Sequence, residues 1–221
     1  VLSKRAELAP DHVALQKRAR ELRGLARAST SGGQNPRVAR IFSQAVALIK
    51  DGRFDLAIET VDAGIRSEAR HPDLLLLKAR FLCLNLTPPD YRAARDLLDE
   101  AFSKGLRKHI LFDLQYKCVR SVGDGGALID LATDALREFP AEESHWLERR
   151  AEGYILNAIS RRKNRDFDQV ISELLSAARE LQHAMKRASP AESARVRDLM
   201  YGVHDQIAET LADVSPQIRA R

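Results

Sequence analysis

Six histidines and two cysteines are the side chains of this chain best suited to bind a metal or carry a proton, so their spacing decides whether they can act together. The histidines stand at His12, His71, His109, His145, His183 and His204. None belongs to a His-Glu-x-x-His pattern or lies at ligand spacing from Cys83 or Cys118. No metal site is therefore expected. His145 and Glu148 lie one helical turn apart, where a surface or capping role fits them better than catalysis. The run Gly123-Asp124-Gly125-Gly126 lacks the following Lys-Ser/Thr of a phosphate loop and reads as a turn between helices. No serine sits in a Gly-x-Ser-x-Gly elbow. These residues predict neither a catalytic site nor a cofactor, and the chain reads as a non-enzyme.

Cationic side chains offer a different chemistry. Arg161, Arg162, Lys163 and Arg165 crowd a segment without apolar residues, and Lys17, Arg18, Arg20 and Arg23 crowd an N-terminal stretch. Either could meet phosphates or an acidic partner. Against nucleic acid stands the absence of interleaved aromatics that would stack bases. A solvated helix end is the alternative use of such a turn, because the helix dipole favours cations there.

The elements that must position these groups read as helices. Aromatics are only 5% of the 221 residues, β-branched runs are scarce, and Ala, Leu, Arg and Glu abound. The net charge of +5 is the small excess of 36 basic over 31 acidic residues and does not itself indicate a nucleic-acid binder. Two unclustered thiols suit a reducing, cytoplasmic compartment. The longest apolar run, residues 74–77, is too short to cross a bilayer, and no signal peptide is recognised. A start at Val1 without methionine leads us to expect a piece of a longer protein.

Breakers recur along the chain at Asp51-Gly52, Arg70-His71-Pro72, Thr87-Pro88-Pro89, Lys104-Gly105, residues 123–126, Phe139-Pro140, Asn164 and Ser189-Pro190. Between them lie segments of helical length. One carries Val170, Leu174, Ala177, Leu181, Ala184 and Ala188; another carries Val196, Leu199, Val203, Ile207 and Leu211. Residues 1–29 read as an N-terminal capping helix, 30–35 as a linker, 36–188 as about four helix pairs, and 189–221 as a C-terminal capping helix and tail.

Four of these segments align, with Ala57, Ala94, Leu128 and Val170 as equivalents. The steps between them are 37, 34 and 42 residues by subtraction, against about 34 for a tetratricopeptide unit. In the first unit Ile41, Ala45 and Leu48, then Gly52 and Phe54, then Ala57, Val61 and Gly64 follow that family's pattern of apolar, turn and small residues. Residues 37–188 thus resemble the tetratricopeptide-repeat family in divergent form. The resemblance implies an all-α, right-handed solenoid of antiparallel helix hairpins with capping helices at both ends. It also implies a concave wall built from the first helix of each pair, with Arg80, Lys117, Arg120 and Arg149 facing the groove and Phe42, Val46 and Ile49 at an apolar end. The family's Lys and Asn clamp for a peptide C-terminus is not matched at these positions. The expected partner is therefore an acidic or mixed peptide or protein surface, or an adjoining domain. A nucleic-acid or nucleotide-signal sensing arm using the basic turn, and a homodimer formed through the end helices, are the alternatives.

Overall fold

A computed structural model describes residues 35–84 and 88–219, with side chains to residue 214. The N-terminal capping helix over residues 1–29, most of the 30–35 linker, His12 and the cluster at 17–23 lie outside the described residues. Nine α-helices and one 3-10 turn make up the described chain, and no strand occurs among these residues. The helices are α1 (Pro36–Lys50), α2 (Phe54–Ser67), α3 (Pro72–Leu84), α4 (Tyr91–Ser103) and α5 (His109–Val122). They continue as α6 (Gly125–Glu138), the 3-10 turn Pro140–Glu142, α7 (Glu143–Lys163), α8 (Phe167–Arg187) and α9 (Pro190–Arg219).

The helix ends follow from local chemistry. Proline opens α1, α3 and α9, where a missing N–H costs nothing. Asp90, Asp124 and Asp166 cap α4, α6 and α8, each accepting a hydrogen bond from the backbone N–H three residues on. At the start of α9, both the backbone N–H and the hydroxyl of Ser189 donate to Glu192, at 2.9 and 2.8 Å. Gly123 stops α5 with φ at +73°, a conformation that glycine adopts without strain. The glycine run is shorter as a turn than the sequence suggests, because Gly125 and Gly126 already belong to the first turn of α6.

The chain forms two compact units, one ending at Arg107 and the other beginning at Lys108. In the first, α1 packs on α2, α2 on α3, α3 on α4, and α1 also touches α3. Its interior is built from Val38, Phe42, Ala45 and Ile49 of α1, Ala57 and Val61 of α2, residues 74–77 of α3, and Ala94 and Leu98 of α4. In the second unit, each helix from α5 to α9 packs on the next in chain order. Residues 147, 151 and 158 of α7, 170, 174, 177, 181 and 184 of α8, and 196 and 203 of α9 form one apolar cluster.

The aligned positions fall in register. Ala57, Ala94, Leu128 and Val170 are each the fourth residue of their helix, and each is at most 1% exposed. Four residues later come Val61, Leu98, Ala132 and Leu174, and three beyond those Gly64, Ala101, Ala135 and Ala177, all buried. Small residues at the last of these positions allow close helix contact: a Cβ on Gly64 would come within 2.8 Å of Ile41 Cδ1. On α9 the buried stripe runs Val196, Val203 and Thr210, and Leu211 is 51% exposed. The 3.6-residue period carries the inward face to 210, one residue short of the apolar position expected. Ala188, expected at the end of the preceding stripe, lies just past α8 as its cap.

Candidate functional site

The charged residues expected in a groove differ in burial and fall in both units. Arg80 lies in the first unit and is buried, at 6% exposure. Phe42, Val46 and Ile49 are buried too, at 4, 5 and 0%, and with Val38 and Ala45 they form a stripe that packs the unit's interior. Lys117 is exposed. Arg120 and Arg149 do come together, through two neighbours. Arg120 Nε pairs with Glu152 at 3.2 Å, the Tyr116 hydroxyl donates to the same carboxylate, and Arg149 stacks on the Tyr116 ring at 4.0 Å. Burial, the bond to Glu152 and that carboxylate's charge push the Tyr116 phenol well above its usual value.

Arg149 continues into a second cluster that spacing in the sequence does not announce. His109 and Asp113 sit one turn apart at the start of α5, and His145 reaches them from the start of α7. Nδ1 of His109 lies 3.0 Å from Asp113 Oδ2; Nε2 of His145 and Nη2 of Arg149 lie 3.5 and 2.9 Å from Asp113 Oδ1. Glu142, from the 3-10 turn, approaches the other ring nitrogen of His109 at 2.5 Å. Trp146, fully buried, packs beneath both imidazoles with ring centroids 5.3 and 5.0 Å away, and Phe139 closes the His109 side. Burial raises the Asp113 carboxyl, but the His145 hydrogen bond and the Arg149 and histidine charges outweigh it and hold the group below its ordinary value. The atoms offered by His109, Asp113 and His145 all lie within 4.8 Å of one another, which is the reach of a single cation.

No metal was expected from the sequence, since no histidine falls in a His-Glu-x-x-His pattern or at ligand spacing from a cysteine; His109 and His145 are 36 residues apart by subtraction. That separation is close to the steps of 37, 34 and 42 residues between the aligned segments. It sets the starts of α5 and α7 side by side, and this is the signal that could have paired them. Glu148, expected at the surface or at a cap, is buried at 7%. Arg195 of α9 donates to its Oε2 from both Nε and Nη2, at 3.1 and 2.6 Å, so the carboxylate fastens α9 to α7.

The basic turn is partly neutralised from within. Arg161 Nε lies 3.5 Å from Glu173 and its Nη1 3.8 Å from Asp166, while Arg162 reaches Glu209 at 3.4 Å and Asp213 at 2.6 Å. Lys163 and Arg165 are exposed. Arg162 and Glu209 both line a cleft of about 450 Å³ between α7, α8 and α9. Ala158, Ile159, Val170 and Leu174 give it an apolar floor, and Lys163 stands at its edge. Ile159 remains 45% exposed there, an aliphatic side chain facing solvent beside cations.

No known family model, curated protein or solved structure matches this chain. Among the described residues no helix is long and apolar enough to cross a membrane.

Proposed function

We propose that the chain is a non-catalytic scaffold for protein recognition, a divergent tetratricopeptide-like array of helix hairpins whose α7–α9 cleft takes an acidic, amphipathic segment of a partner. The array reading is supported by the four even-numbered helices α2 to α8, which bury the same three positions with small or aliphatic residues. It is also supported by short turns between chain neighbours that pack on one another. A repeat of this kind presents rigid helix faces, and recognition then depends on a few anchors set in an apolar pocket.

The cleft is the observation that carries the reading. Its floor of Ala158, Ile159, Val170 and Leu174 suits a leucine- or phenylalanine-sized side chain. The Lys163 ammonium at the edge suits a carboxylate one or two residues away. Arg162 is already held by two carboxylates and acts as a fixed wall. Phosphate recognition is the weaker use of this turn, since Arg161 and Arg162 are engaged by acidic side chains of the chain itself.

Selection from a displayed peptide library against the purified chain tests this directly. The enriched peptides should combine one large aliphatic or aromatic anchor with flanking Asp or Glu. Binding should fall at least about tenfold on Ile159→Arg, and less on Lys163→Glu. Peptides without that pattern, or peptides bound equally by Ile159→Arg, would refute the proposal.

A further inference from the structure

We propose that His109, Asp113 and His145 form a binding site for a divalent transition-metal ion of the zinc class, with Glu142 and Arg149 as its outer partners. This inference does not depend on the peptide cleft.

The donor set points to the class of ion. Two imidazoles and one carboxylate suit zinc, cobalt or nickel, whereas calcium and magnesium take oxygen shells. Zinc binds imidazole nitrogen and carboxylate oxygen at about 2.0–2.2 Å, which places tetrahedral ligands about 3.3 Å from one another. Asp113 Oδ2 lies 3.0 Å from His109 Nδ1 and Asp113 Oδ1 lies 3.5 Å from His145 Nε2, on either side of that value.

Unmet polar atoms converge on the same place. His145 Nε2 is buried and faces Asp113 Oδ1 at 3.5 Å, too far apart for a good hydrogen bond, and Ser144 Oγ beside it is buried without a partner. Burying such acceptor atoms without a partner is costly, and an ion between the imidazole and the carboxylate would take up the lone pairs that face each other. The outer partners have the arrangement that metal sites use. Glu142 stands at the far nitrogen of His109, which fixes the ring's tautomer, and Arg149 holds the Asp113 carboxylate. Behind the site, Trp146 and Phe112 form a rigid apolar wall. In front, Glu142 and His145 line an open polar cleft of about 380 Å³ that also holds Ser144, Arg187 and Glu192. With three protein ligands the site leaves a fourth position for water, so the bound ion would remain exchangeable.

The test uses the untagged full chain, freed of metal by a chelator and titrated with zinc chloride by calorimetry and with cobalt chloride by visible absorption. One zinc ion should bind per chain and raise the melting temperature. His109→Ala and His145→Ala should each lower affinity at least tenfold and abolish that rise, and Glu142→Gln should lower affinity about tenfold or more. Should an alanine variant unfold, His145→Gln keeps the packing against Trp146 while removing the ligand, and it should lose zinc equally. Unchanged affinity in the histidine variants would overturn the assignment. So would a sulfur-to-cobalt charge-transfer band, which would place the ion at Cys83 or Cys118.

Discussion

Replacing Gly153 with alanine should destabilise the second unit, although alanine is the better helix former. Gly153 lies within α7 where that helix crosses α6, and Gly125 is its counterpart on α6. A Cβ on Gly153 would stand 2.8 Å from Ile129 Cγ1, 2.9 Å from the Gly125 carbonyl oxygen and 3.1 Å from the Ile129 backbone nitrogen. Two of these three neighbours are backbone atoms, so a rotamer change cannot make room. Moving the carbonyl from 2.9 Å out to ordinary contact at 3.4 Å separates the helices by about 0.5 Å along their interface. Overpacking of this kind costs about 1–3 kcal/mol, against a gain of about 0.5–1 kcal/mol from replacing a helical glycine. At the midpoints of those ranges a net loss of about 1 kcal/mol follows, or about 2–4 °C in melting temperature for a chain of this size. Gly202 supplies the control. It lies in α9 with nothing within 4 Å of its would-be Cβ, so Gly202→Ala should stabilise by about 0.5–1 kcal/mol. Trp146 is the only tryptophan and is fully buried in the same unit, which lets urea unfolding be followed there by its fluorescence. A Gly153→Ala variant as stable as the native chain would refute the reading of this crossing.

Other consequences follow from the charged contacts of α9. Arg195→Ala leaves the buried Glu148 carboxylate without its donor and should cost about 1–3 kcal/mol, measured by the same urea titration. The N–H and hydroxyl of Ser189 hold the Glu192 carboxyl below its usual value, so its capping contribution is complete above the unfolded value of about 4.3 and vanishes as pH falls through the lower folded one. Glu192→Ala should therefore cost about 0.5–1 kcal/mol at neutral pH and almost nothing near pH 2, read from melting temperatures at both.

Helix boundaries were legible because proline and glycine act locally: every breaker seen in the sequence whose residues are described marks a helix end or a connection. The register of α2, α4, α6 and α8 was legible for a related reason, since burial at three fixed positions leaves a pattern of small and aliphatic residues in each segment. Faces of single helices were harder to read. On α1, Ile41 and Leu48 are half-buried while Phe42 and Ile49, one residue on, are buried, and a short amphipathic segment with apolar residues on both flanks does not say which flank is inside. Partners distant in sequence were the hardest to read. Nothing near Glu148 announces Arg195, and only the 36-residue separation of His109 and His145 hints at their pairing, because those meetings depend on how helices stack and not on spacing along one helix.

The proposed recognition role of the α7–α9 cleft is tested most directly by amide hydrogen exchange on the chain with and without a selected acidic amphipathic peptide at saturating concentration. Slowed exchange should be confined to the parts of α7, α8 and α9 that carry Ile159, Lys163, Leu174 and Gln206. Protection that falls on α5 and α6, or on the first unit, and leaves those segments unchanged would contradict it.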